Sequence, residues 1–81
     1  MSAATPADLV LDCRGLRCPL PVIELARRID AVPLGAVVEI VADDPAARAD
    51  LAAWCRMRDQ EWLGESAAAD GTPAYSVRRR R

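Results

Sequence analysis

With 81 residues the chain has room for one domain whose folding hides only about 60 to 65% of its surface, so chemistry belongs on a helix end or a loop rather than in a deep cavity. Apolar residues make up 52% and charged residues 28%, as in a globular domain, and a net charge of -1 supplies no general attraction to nucleic acid or anionic lipid. Histidine and lysine are both absent, which excludes histidine bases, histidine metal ligands and lysine Schiff bases and leaves thiols as the reactive side chains.

Residues 1 to 8 are small and polar with a proline, and are expected to form a flexible arm ahead of a single domain over residues 9 to 81. Leu9 to Leu11 reads as a short strand, and Asp12 to Arg17, with Gly15 inside it, as a loop. From Pro19 the apolar residues Val22, Ala26 and Ile29 recur at helical spacing, Glu24 and Arg28 form an i,i+4 pair, and Pro33 ends the run. After the Pro33-Leu34-Gly35 turn, Ala36 to Ala42 carries a single charge and reads as a central strand buried on much of both faces.

Asp43-Asp44-Pro45 is a helix start, with Asp44 as the cap and Pro45 at the first helical position. The second helix then runs to about Arg58, with an apolar stripe of Ala47, Leu51, Trp54 and Cys55. Glu61 to Ser66 and Ala74 to Arg79 read as two strands around an Asp70-Gly71 turn. This order predicts an α/β (α+β) two-layer sandwich, with the first two strands parallel and both helices on one face of the sheet.

No basic residue precedes an apolar block in Met1 to Leu9, and the apolar stretch Leu34 to Ala42 is broken by Glu39, so neither a signal peptide nor a membrane span is expected. Three cysteines suit a reducing compartment better than a disulfide framework, which points to a cytoplasmic protein. A monomer is expected. A metal site built on three cysteines lacks a histidine to complete it, so none is expected.

Cys18-Pro19-Leu20-Pro21 places a thiol at the N-cap of the first helix, where free N-H groups and the positive helix end favour thiolate. Pro19 and Pro21 lack N-H groups, which leaves the Leu20 N-H as the natural donor to the sulfur. Arg14 and Arg17 add positive potential, and Gly15 lets the loop bend around the sulfur. The alternative is an inert cysteine that merely starts a helix. Cys13 reads as a strand-end residue, or else as an accessory thiol that could resolve Cys18. Cys55, on the apolar stripe, reads as core. The run Arg78 to Arg81 reads as a solvated edge or as a docking patch for an acidic protein, rather than as a contact for nucleic acid.

The run Leu11-Asp12-Cys13-Arg14-Gly15-Leu16-Arg17-Cys18-Pro19-Leu20-Pro21-Val22 resembles the signature of the TusA (SirA-like) sulfur-carrier family. Ala42-Asp43-Asp44-Pro45-Ala46 followed by Asp50 to Arg56 is similar to that family's second strand-to-helix junction, and Pro73 to Arg79 resembles its last strand. The resemblance implies a βαβαββ fold with a mixed four-stranded sheet. It also implies that Cys18 accepts sulfane sulfur as a persulfide, the sole covalent intermediate, with no cofactor. The implied donor is a cysteine desulfurase or rhodanese, and the implied acceptor a protein of tRNA thiolation, molybdenum cofactor synthesis or sulfur oxidation, with no direct nucleic-acid contact. Two departures stand out. Leu20 occupies a place where some members carry an acidic residue, and Asp59-Gln60 replaces a glycine-containing turn. A regulatory or adaptor module that binds a partner without transferring sulfur is the competing reading, and a thiol reductase using Cys13 is a third.

Overall fold

The computed structural model describes residues 6 to 81, and the part of the predicted arm at residues 1 to 5 lies outside them. The chain forms β1 (Leu9–Asp12), α1 (Leu20–Arg28) with a 3-10 turn at Ile29–Ala31, β2 (Val37–Val41), α2 (Ala47–Arg58), β3 (Glu61–Ala67) and β4 (Pro73–Arg78). The strands make one mixed sheet in the order β1-β2-β4-β3. β1 lies parallel to β2, with Leu11 opposite Ile40, and β4 is antiparallel to both β2 and β3.

β2 is the central strand the sequence predicts, because Val37, Val38, Ile40 and Val41 are all buried and offer no polar side chain to solvate. Strand alternation aims Leu11, Val38, Ile40, Tyr75 and Val77 at one face, where they form a single core with Leu25, Ile29, Leu51, Trp54 and Cys55 of the helical layer. Both helices therefore cover the same face. The opposite face carries the unburied Val10, Glu39 and Ser76 together with the buried Val37, Val41 and Ala74.

Local boundaries move where packing outweighs pattern. α1 begins at Leu20 rather than Pro19, and it buries Pro21 and Leu25 while Ala26 is exposed. Neighbouring helical positions differ by about 100°, and the larger Leu25 side chain has far more apolar area to hide than Ala26. Glu24 pairs with Arg27 at i,i+3, not with Arg28. α2 begins at Ala47 with Ala46 as its N-cap, since the Asp44 carboxylate is taken by the Ala46 N-H at 2.7 Å before the helix starts. The predicted stripe of Ala47, Leu51, Trp54 and Cys55 is buried throughout.

Asp59 takes the left-handed conformation that ends α2, with φ of 56°, so the Asp59-Gln60 departure keeps the turn without a glycine. The register of β3 against β4 shifts between Trp62 and Gly64, a bulge the sequence pattern does not announce. Asp8, assigned to the arm by sequence, is tied to β2: its N-H donates to the Val37 carbonyl, and its carboxylate accepts the Val37 N-H, both at 2.8 Å. No helix among the described residues is long and apolar enough to cross a membrane.

Candidate functional site

The loop between β1 and α1 delivers Cys18 to the end of the sheet where α2 also begins. β1 hands over to the loop at Cys13, whose N-H donates to the Val41 carbonyl at 2.7 Å, extending the ladder one residue beyond the strand. Gly15 turns the chain at φ of 79°, a conformation glycine adopts without steric cost, and its N-H donates to the Asp43 carboxylate at 3.1 Å. Arg14 pairs with Asp12 at 3.0 Å and with Asp70 of the β3-β4 loop at 3.1 Å, so it braces the loop instead of facing the sulfur. Hydrogen bonds from Thr72, its N-H foremost, and then that pairing hold the Asp70 carboxyl down at about 2.

Cys18 is exposed, whereas Cys13 and Cys55 are each 1% exposed. The N-cap of α1 is Pro19, one residue later than predicted, and the Leu20 N-H donates to the Arg17 carbonyl at 2.8 Å instead of to sulfur. The Ile23 N-H serves the Pro19 carbonyl at 3.0 Å. The helix end thus directs none of these donors at the thiol. What faces it is acidic: the sulfur lies 2.7 Å from Asp50 Oδ2, and the Cys18 N-H donates to Asp44 Oδ2 at 3.3 Å.

The surroundings expected to favour thiolate are therefore not those the fold supplies. The hydrogen bond to Asp50, then partial desolvation, then the Asp50 and Asp44 charges all push the Cys18 thiol up from its ordinary value. Burial, aided by Glu24 and Asp12, raises Cys13 as well, and burial alone pushes Cys55 up to about 11. Neither buried thiol has the exposure or the positive surroundings of a reactive cysteine. Cys13, named from sequence as an accessory thiol, is packed in the core with Leu25 and Ile40 in the cluster around it.

A cleft of about 280 Å³ lies between the loop before Cys18 and the start of α2, lined by Gly15, Leu16, Arg17, Asp43, Asp44 and Pro45. Leu20 and Ile23 lie exposed on the first turn of α1, and Pro21 is buried. Of the motif residues, Gly15 and Arg17 therefore shape the loop, Pro19 and Pro21 start and anchor the helix, and Leu20 presents an apolar surface. Sequence reading placed Asp50 off the apolar stripe of the second helix and within the family-like junction, but gave it no role at the site. It lies 32 positions from Cys18, off the apolar stripe of α2, and only the packing of α2 beside the loop brings the two together.

The arginine tail is not a free patch. Arg78 and Arg80 both reach Glu61, and Arg81 reaches Asp59. Arg79 donates to the Val32 carbonyl at 2.6 Å and pairs with Asp30, while its backbone exchanges hydrogen bonds with Gly35 and Ala36. Each of the four arginines thus has a partner on the protein's own surface, while Arg80 and Arg81 stay largely exposed.

Comparison with known proteins gives the family and the fold. The family model described as Sulfurtransferase TusA matches residues 9 to 79. The sulfur carrier protein TusA of Pseudomonas fluorescens is 36% identical over 74 residues, 91% of this chain and 88% of that protein. The TusA of Pseudomonas putida (strain GB-1) is 35% identical over 80 residues, 99% of this chain and 98% of that one. YrkF of Bacillus subtilis is 39% identical over 64 residues, 79% of this chain but only 35% of its own length. A SirA-like protein from Desulfitobacterium hafniense superposes with a TM-score of 0.76 at 19% identity over 90% of this chain and 99% of that one, and so shares the fold. The chain belongs to the TusA sulfurtransferase family.

Proposed function

We propose that this protein is a sulfur carrier which holds sulfane sulfur as a persulfide on Cys18 and passes it to a second protein. The observation that carries the reading is that Cys18 is the one exposed thiol of the three, and it lies in the signature loop that matches the family. The donor is a protein persulfide of the cysteine desulfurase or rhodanese class, and the acceptor is a protein thiol or nucleophile that docks on the same surface. Exposed Leu20 and Ile23 beside the sulfur supply the apolar contact such docking needs. The transfer requires no cofactor, because the sulfur atom moves between sulfur nucleophiles through S-S exchange.

Incubation with a cysteine desulfurase and cysteine should add the mass of one sulfur atom to the peptide containing Cys18, removable by reductant and absent in Cys18→Ser. An adduct that persists in Cys18→Ser, or that maps to Cys13 or Cys55, contradicts the assignment. A Cys18→Ser protein that folds and still supports the cellular function would favour the adaptor reading instead.

A further inference from the structure

A thiol sulfur and a carboxylate oxygen 2.7 Å apart hold a proton between them, since thiolate and carboxylate would repel at that distance. The other charged groups around the sulfur have different work. Asp44 accepts the Cys18 and Ala46 N-H groups, Asp43 accepts the Gly15 N-H, and Arg14 is committed to Asp12 and Asp70. Arg17, the remaining cation in the loop, precedes Cys18 directly and is exposed. Asp50, on the first turn of α2, has the Cys18 sulfur as its side-chain partner among the described residues. With no histidine or lysine in the chain, a carboxylate is the base available at this site.

We propose that Asp50 is a catalytic residue, the proton acceptor of Cys18 during sulfur loading. This rests on the carrier reading above. In the empty protein the Asp50 carboxylate keeps the sulfur as a thiol, which is unreactive toward oxidants and adventitious electrophiles. When a donor docks, the exposed sulfur is covered and bulk water loses access, so the proton needs a local destination. Asp50 takes it as the Cys18 sulfur attacks the terminal sulfur of the donor persulfide. The new S-S bond forms on Cys18, the donor's S-S bond breaks, and the donor sulfur leaves as thiolate. That thiolate then recovers the proton from Asp50. One persulfide and one thiol are consumed and one of each is produced, with no net oxidation or reduction.

Two readouts on Asp50→Asn, which keeps the side-chain shape, test this. The first is the pH dependence of Cys18 alkylation by iodoacetamide, which needs neither a donor nor the carrier activity. Its midpoint should fall on losing the carboxylate. Each unit of fall multiplies thiolate tenfold but costs about threefold in nucleophilicity, so alkylation at neutral pH should rise about threefold per unit. The second is single-turnover loading from a cysteine desulfurase charged with cysteine, at saturating donor. Here Asp50→Asn should be slower by at least about tenfold, as loss of a general base requires. Faster alkylation with slower loading is the signature. An unmoved alkylation midpoint overturns the proton link, and loading that accelerates in step with alkylation overturns the base role. If the unmodified protein takes no sulfur at all, the carrier reading fails, while the alkylation profile still reports whether the Asp50 carboxylate keeps the proton on Cys18.

Discussion

Three cysteines of one chemical type occupy three different environments, and environment alone separates them. Cys18 sits in solvent beside Asp50 and Asp44, Cys13 is at the foot of the loop beneath α1, and Cys55 is in the stripe of α2. Replacing Cys55 by alanine removes one buried heavy atom, so a loss of about 1 kcal/mol is expected. A domain of this size should then melt about 4 to 8 °C lower, with sulfur loading on Cys18 retained. Thermal denaturation followed by circular dichroism, together with mass analysis of the loaded protein, checks both halves. A folded Cys55→Ala protein that cannot be loaded would bring the core thiol into the mechanism. Cys13→Ala belongs to the same series and should behave alike, because its sulfur is equally hidden.

At the level of elements, the loop before α1 is positioned from three sides: by the β1-β2 ladder through Cys13, by the β2-α2 junction through Asp43 and Asp44, and by the β3-β4 loop through Asp70. The C-terminal arginines serve the opposite end of the sheet, where Arg79 closes the connection between α1 and β2. Arg79→Ala removes a charged donor from the Val32 carbonyl, and a destabilisation of about 1 to 3 kcal/mol is expected. Urea denaturation should show an earlier midpoint with an unchanged slope. Association with an acidic partner should not acquire a new salt dependence, since the guanidinium is already paired within the chain. If stability were unchanged and only a salt-dependent association rate fell, the tail would be a docking patch after all.

For the molecule as a whole, the thiols make stability sensitive to alkali. Burial raises Cys55 from 9.0 to about 11, and Cys13 and Tyr75 are raised as well. A raised acid binds its proton more tightly in the folded chain, so the unfolded chain releases it first as pH climbs. The stabilisation is complete below pH 9.0 and is lost as pH rises toward about 11, with Cys55 contributing on the order of 2 to 3 kcal/mol. Equilibrium unfolding across that window should show a steady decline, and Cys55→Ala should decline less steeply. A slope unaffected by Cys55→Ala would place the alkaline sensitivity elsewhere.

Much of this protein is written in short-range pattern. The apolar run of β2, the stripe of α2 and the Cys18-Pro19-Leu20-Pro21 helix start are each decided by neighbouring residues. Burial periodicity and proline geometry act over a few positions and can be read along the chain. The exposure of Cys18 and the burial of Cys55 follow from the same reading. The protonation of Cys18 does not. From sequence, the helix start and nearby arginines predict a thiolate. In the fold the Leu20 N-H turns back to Arg17, Arg14 turns away to Asp70, and Asp50 arrives from a helix 32 residues on. Electrostatic interactions depend on distance in space and not along the chain, so the field at the sulfur is settled only when α2 packs beside the loop.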